Sequence, residues 1–113
     1  MTRAVFWEGP QGLEGFRVTG HSGYGAAGED IVCAAISSLT TTCVNALESV
    51  AGVMPKVVQR DRPVVLEVSL PPGLTPSALH DAQVLLRALH QGVYDLSQAY
   101  PKHVQLQDRR KHP

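Results

Sequence analysis

Two long stretches with helical periodicity constrain the fold of this 113-residue chain more than any other feature. At 100° per residue, one stripe of the first stretch is small or apolar: Val32, Ala35, Ile36, Leu39, Cys43, Ala46, Leu47 and Val50. The second stretch has an equivalent stripe: Ala78, Ala82, Leu85, Leu86, Leu89, Val93, Leu96 and Tyr100. Because a helix with one apolar stripe must bury it against another element, both helices need a further layer to pack on.

Start and stop signals bound both helices. Asp30 is the predicted N-cap of the first helix, and Gly52 is its predicted stop signal. Thr75 is the predicted N-cap of the second helix, and Pro76 occupies its first position, where a proline is tolerated. Pro101 ends that helix.

Short segments with strand-type residue patterns surround the two helices: 3–8, 13–19, 56–60, 64–70 and a last strand at Val104 and Leu106. The element order is therefore β-β-α-β-β-α-β, followed by a polar tail over 108–113. We predict one α+β domain over residues 1–113, with both helices packed on one face of a mixed, mostly antiparallel sheet.

Composition argues against several classes of protein. The chain is 43% hydrophobic and 18% charged, which favours a packed core over disorder. Ten basic and ten acidic residues cancel, so net charge gives no reason to expect direct binding of nucleic acid. Two cysteines are too few for a disulfide scaffold and have no metal-ligand spacing, so neither a metal nor a cofactor is expected.

The same reading predicts a cytoplasmic protein without a membrane partner. The longest apolar run is 31–36, which is far shorter than the roughly 18 residues of a membrane span. Residues 1–9 hold Arg3 and Glu8 around a very short apolar stretch and do not resemble a secretory signal.

The candidate chemistry centres on Cys33. With Asp30 as the cap, Cys33 is the third helical residue, and its sulfur lies near unpaired backbone N–H groups at the positive end of the helix dipole. That environment favours the thiolate over the thiol. Cys33 also lies about 100° from the centre of the apolar stripe, on a flank shared with Ser37. Cys43 lies in the middle of the stripe and is predicted to be an inert core thiol.

His21 follows the second strand and opens a glycine-rich stretch over 20–29. Four glycines make this stretch a candidate lid loop: Gly20, Gly23, Gly25 and Gly28. A thiolate nucleophile needs a proton carrier, and histidine titrates in the right range. His21 and Cys33 are therefore predicted to form a catalytic dyad, and the backbone N–H groups of Cys33 and Ala34 are candidates for stabilising an oxyanion.

A nucleotide site is a weaker interpretation of the same segment. Residues 23–28 match G-x-G-x-x-G, and Glu48 lies about 20 residues further on. However, the helix of a dinucleotide site opens within the motif, whereas the cap signal here comes at Asp30. Residues 56–70 also predict an antiparallel hairpin, where a dinucleotide fold needs a parallel return.

Two further features concern the surface. Phe6 and Trp7 are adjacent on the first strand and must face opposite ways, so one is predicted in the core and the other is available to a partner. His80 and His90 lie about 80° apart on the second helix and are predicted to be exposed and not to be a pair of metal ligands.

Several segments together resemble the bacterial ribosomal-processing cysteine protease family: Gly20-His21-Ser22-Gly23-Tyr24, Asp30-Ile31-Val32-Cys33-Ala34-Ala35, Ser37 and Asn45-Ala46-Leu47. The resemblance is dense over 20–47. It implies a cytoplasmic, homodimeric cysteine endopeptidase that removes the N-terminal extension of large-subunit ribosomal protein twenty-seven after an aromatic residue. It also implies that Cys33 is the nucleophile, that His21 is the general base, and that Asp30 and Ser37 support the site.

A second hypothesis from a different class stays open at this point. The glycine-rich stretch and the helix start could hold a ribosomal protein or rRNA surface without breaking a bond. Thiol reactivity separates the two hypotheses, because only the protease requires Cys33 to react much faster than Cys43.

Overall fold

The computed structural model describes residues 1–20, 27–61 and 63–110, and for 27–30 the backbone. Within these ranges the elements follow in the predicted order: β1 (Thr2–Gly9), β2 (Gly12–Thr19), α1 (Ala27–Ser49), β3 (Lys56–Asp61), β4 (Val64–Ser69), α2 (Pro76–Ala99) and β5 (Val104–Arg110). The single α+β unit predicted from the periodicity is confirmed in its element order.

One sheet holds the strands in the order β3-β4-β2-β1-β5. All neighbours are antiparallel except β1 and β5, which run parallel. The parallel pair arises because α2 separates β4 from β5 and carries the chain back across the sheet. The predicted mixed, mostly antiparallel sheet is therefore confirmed, as is the hairpin of β3 and β4 that argued against a dinucleotide fold.

Strand alternation gives the sheet one buried face. Thr2, Ala4 and Phe6 of β1 are all at most 3% exposed. Phe6 lies directly opposite Phe16 of β2, with ring centroids 5.6 Å apart. Both helices lie on this face, because their buried residues form one cluster with those of the strands. Trp7 points to the opposite face and is half-buried, as the adjacent pair predicts.

The residues of the two helical stripes are buried or half-buried, except for the last residue of each. Val50 is 67% exposed and Tyr100 is 37% exposed, because each lies just beyond the end of its helix. The predicted start of α2 is confirmed. The Thr75 side chain accepts a hydrogen bond from the N–H of Ala78 at 3.2 Å, and Pro76 is the first helical residue.

Two sequence predictions near β5 are wrong. The strand runs to Arg110, so residues 108–110 are not part of a polar tail. His90 is half-buried and not exposed: its Nε2 lies 2.7 Å from Oδ1 of Asp108, and its ring packs edge-on against Phe6 at a centroid distance of 4.8 Å. The contact with Asp108 joins α2 to β5 across 18 residues of sequence, which helical periodicity cannot reveal.

Ile31–Ser49 within α1 is long and apolar enough to cross a membrane by length and composition alone, although its longest uninterrupted apolar run is short. In this fold the same segment contributes Val32, Ile36, Cys43 and Leu47 to the core. A core helix that packs on a sheet and on a second helix meets the same criterion, so the finding is weak support for a membrane span.

Candidate active site

Cys33 lies on the flank of α1, half-buried beside the core. Its sulfur is 3.6 Å from the hydroxyl oxygen of Thr2, the first residue of β1. Thr2 is 3% exposed, and its backbone N–H donates to the carbonyl of His103 at 2.9 Å. The candidate nucleophile is therefore in contact with a buried hydroxyl on a strand end that is anchored to the turn before β5.

Sequence reasoning did not single out Thr2. The alternation of Thr2, Ala4 and Phe6 was a usable signal, because it places the Thr2 side chain on the helix-facing side of β1. Thr2 and Cys33 are 31 positions apart in the sequence, and their contact in space depends on how α1 lies across the sheet.

The predicted helix cap at Asp30 is wrong, because α1 begins at Ala27. Cys33 is consequently the seventh helical residue, in the second turn. Only the first four N–H groups of a helix lack an intrahelical acceptor, so those of Cys33 and Ala34 are taken up within the helix and are not available as oxyanion donors. The good helix propensity of Ala27 and Glu29 accounts for the earlier start.

The earlier start also shortens the candidate lid. Gly28 belongs to α1, so the predicted loop over 20–29 is wrong at its C-terminal end. His21, Gly23 and Gly25 lie outside the described residues.

Gly20 is described, and its geometry requires glycine. Its φ is +84°, and a Cβ there would lie 2.2 Å from the carbonyl oxygen of Met1 and 3.7 Å from Cα of Thr2. Residues with a β-carbon rarely adopt a positive φ, so only glycine lets the backbone pass this close to the start of β1. His21 is the next residue in the sequence.

A groove of about 240 Å³ runs between α1 and the hairpin of β3 and β4. Its lining includes Gly20, Cys33 and Ser37. Half-buried or buried apolar side chains contribute to it: Val18, Ile36 and Leu66. Exposed polar or charged residues also contribute: Thr41, Gln59, Arg60 and Asp61. The thiol therefore borders a concavity that offers both apolar and hydrogen-bonding contacts to an extended ligand.

Two hydroxyl side chains lie on the same flank of α1 as Cys33. Ser37 lies one turn beyond Cys33, with an exposed side chain. Thr40, on the same flank, is 3% exposed and donates its hydroxyl hydrogen to the carbonyl of Ile36 at 2.9 Å. The side chain of Asp30 is not among those described.

Cys43 has the environment of a core thiol. It is 5% exposed, and its sulfur donates weakly to the carbonyl of Leu85 at 3.8 Å. Burial raises its pKa from 9.0 to about 11, because the apolar surroundings disfavour the thiolate. The described part of the chain contains no group of three or more His, Cys, Asp or Glu side chains that could hold a metal.

Comparisons with known proteins add an independent line. The family model of the cysteine protease Prp matches residues 1–105. The ribosomal processing cysteine protease Prp of Bacillus subtilis (strain 168) is 29% identical over 79 residues, which cover 70% of this chain and 70% of that protein.

Solved structures are similar over nearly the whole fold. A crystal structure of a Streptococcus mutans protein superposes with a TM-score of 0.88 at 30% identity, covering 98% of this chain and 96% of that one. The ribosomal processing protease Prp from S. aureus, in complex with a substrate peptide, superposes with a TM-score of 0.82 at 19% identity, covering 96% and 99%. Because the family model spans almost all of the sequence, this chain belongs to the family of the ribosomal processing cysteine protease Prp.

Proposed function

We propose that this chain is a cytoplasmic cysteine endopeptidase that removes the N-terminal extension of large-subunit ribosomal protein twenty-seven, with Cys33 as nucleophile and His21 as general base. Family membership supports the protease class. The observation that carries the residue assignment is that Thr2, Gly20 and Cys33 line one groove, in which the Thr2 hydroxyl lies 3.6 Å from the Cys33 sulfur. His21 follows Gly20 directly in the sequence.

The reaction follows from this pairing. The Cys33 proton passes to the His21 imidazole, and the sulfur adds its electron pair to the scissile carbonyl carbon. Collapse of the tetrahedral species breaks the C–N bond, and the imidazolium returns the proton to the departing amine. Water then attacks the thioester carbonyl carbon while the imidazole accepts a proton from the water. The C–S bond breaks, the imidazolium returns the proton to the Cys33 sulfur, and the product departs as a carboxylate.

The hydroxyl of Thr2 supports the same step. A hydroxyl that donates to a thiolate makes a charge-assisted hydrogen bond, which is stronger than one to a neutral thiol. The Thr2 hydroxyl is buried, so water competes little for this contact. Thr2 therefore favours the reactive form of Cys33.

The groove supports a peptide substrate. Its half-buried apolar residues, such as Leu66, can take an apolar side chain, and its exposed polar residues, such as Gln59, can bind the peptide backbone. The family resemblance further implies a homodimer, and light scattering should then report twice the 12.2 kDa mass of the chain.

Cleavage of the extended ribosomal protein tests the proposal. The wild-type chain should release the extension, whereas Cys33→Ala and His21→Ala should each lose at least about 1000-fold in rate, because nucleophile and base act as one unit. Cys43→Ala is the matched control, since it removes the other thiol of the chain and should cleave at close to the wild-type rate. The mature ribosomal protein without its extension is the substrate control.

Two outcomes would contradict the proposal. Equal cleavage by all variants would assign the activity to other residues or to a contaminant. Tight binding of the extended protein without cleavage by the wild type would favour the non-catalytic binding module.

A further inference from the structure

The face of the sheet that the helices leave uncovered carries a concentration of positive charge. The strand register places five basic residues there: Arg3, Arg17, Lys56, Arg60 and Arg109. All five are exposed. The acidic residue that the register places among them is Glu67. This face, defined by these residues and Trp7, is called the basic face below.

The opposite layer has the opposite charge. The sequence of α1 contains Glu29, Asp30 and Glu48 and has no lysine or arginine. In α2, Asp81 and Asp95 outnumber Arg87. The net charge of zero therefore conceals a basic sheet face and an acidic helical layer, and local charge decides what a surface attracts.

The positive charge of the basic face is not neutralised within the described part of the chain. Within the described residues, the ion pair joins His90 of α2 to Asp108 of β5 and involves none of the five cations. Glu67 lies directly opposite Arg17 in the strand register, yet the two do not form an ion pair. Arg109 donates a hydrogen bond to Oε1 of the neutral Gln107 at 3.3 Å. Cations that have no ion pair on an uncovered sheet are available to an external anion.

The geometry matches an extended polyanion better than a single anion. From β5 to β3 the cations span four inter-strand spacings, about 19 Å. Arg3, Arg17 and Arg109 surround a shallow depression of about 190 Å³, which Trp7 and Gln107 also line. A compact anion could contact only part of this set.

Trp7 lies within this charged surface. Its ring is half-buried and rests against Gly15 of β2, with Cε3 3.4 Å from the position that a Cβ would take there. Arg109 lies opposite Trp7 on β5, and the exposed amides of Gln105 and Gln107 line the same depression further along that strand. An aromatic ring, planar guanidinium groups and amides on an open sheet are the components by which sheet surfaces stack and hydrogen-bond unpaired bases.

We propose that the basic face binds single-stranded RNA, with the arginines on the phosphates and Trp7 stacked on a base. A second copy of the chain is disfavoured as occupant, because the same faces would bring cations against cations. An acidic polypeptide would satisfy the charge but would leave Trp7 without a planar partner. This binding does not involve Cys33, so its success or failure is independent of the proposed peptidase activity.

The test measures binding of a fluorescein-labelled RNA of about 12 nucleotides by anisotropy, a length that such surfaces accommodate. The full chain carrying Cys33→Ala serves as the reference, which removes any peptidase reaction. The face variant adds three substitutions: Arg3→Ala, Arg17→Ala and Arg109→Ala. The control variant makes the same change in net charge elsewhere on the surface: Arg87→Ala, Lys102→Ala and Arg110→Ala. Circular dichroism melting confirms that each variant is folded.

The reference chain should bind RNA and lose about 100-fold in affinity between about 50 and 200 mM salt, as expected when five phosphates are neutralised. The face variant should bind at least about tenfold more weakly, with a salt slope lower by about 2, whereas the control variant should stay within about twofold. Trp7 is the single tryptophan of the chain, so RNA should quench the intrinsic tryptophan fluorescence.

Three results would overturn the inference. The first is no RNA binding by the reference chain at the lower salt concentration. The second is equal weakening in the face and control variants, which would show that overall charge rather than this face is responsible. The third is polyglutamate binding as tightly as RNA without quenching Trp7, which would assign the basic face to an acidic protein.

Discussion

The two thiols of this chain should differ in alkylation rate by at least two orders of magnitude. Cys43 is 5% exposed, and burial raises its pKa from 9.0 to about 11. At pH 8 only about 0.1% of such a thiol is ionised, which is about 100-fold less than for a thiol with the ordinary pKa. Cys33 is half-buried and borders the groove, so the reagent can reach its sulfur, and in the proposed function the Thr2 hydroxyl 3.6 Å away stabilises its thiolate.

The assay treats native protein with iodoacetamide and follows each cysteine-containing peptide by mass spectrometry. Cys43→Ala isolates the reaction of Cys33, and Cys33→Ala isolates that of Cys43. The ratio of the two rates should be at least about 100 in the native state and should approach 1 in denaturant, where burial is lost. Rates within about tenfold of each other in the native protein would refute the assigned environments of both thiols.

Three further predictions concern stability, each measured by urea unfolding. Folding raises the pKa of Cys43 from 9.0 to about 11, so the folded state favours the protonated thiol. The contribution of this thiol to the free energy of unfolding is complete below pH 9.0 and is lost as the pH rises toward 11. The loss is about 3 kcal/mol and should be absent from the pH profile of Cys43→Ala. Gln83→Ala should cost about 2 kcal/mol, because the Gln83 amide makes hydrogen bonds of 2.6 and 2.7 Å to the backbone of β2, and an unchanged midpoint would contradict that role. Gly20→Ala should cost more than the roughly 1–2 kcal/mol of its positive φ, because the new Cβ would collide with the Met1 carbonyl. Gly73→Ala, with φ +75° and open surroundings, is the matched control, and equal losses would exclude the Met1 contact as a cause.

Local sequence signals predicted most of the fold correctly. Period-2 and period-3.6 patterns are properties of a few neighbouring residues, so they predicted the order of strands and helices and the stripe that holds Cys43. The Thr75 cap and Pro76 were correct for the same reason, since a cap bonds within one turn. The predicted start of α1 was wrong, because Ala27 and Glu29, which precede the expected cap Asp30, also favour a helix.

The candidate site was only partly predictable. The position of Cys33 at the edge of the apolar stripe follows from helical geometry, and the groove-lining position of the thiol agrees with it. Its contact with Thr2 joins residues 31 positions apart and depends on how α1 crosses the sheet. His90 and Asp108 illustrate the same limit, because no periodicity relates a helix residue to a partner on a later strand.

The sequence by itself determined the secondary-structure order and the core stripes, because both depend on spacing along the chain. The choice of Cys33 as candidate nucleophile rests on the family resemblance over 20–47, since the helix start that also favoured it lies elsewhere. The tertiary structure alone decided which distant side chains share a surface. Strand order and register bring Arg3, Arg17 and Arg109 from three strands onto one uncovered face, while the acidic residues of α1 lie in the helical layer. Net charge is a sum over the chain and carries no position, so a neutral composition could not predict this separation of charge.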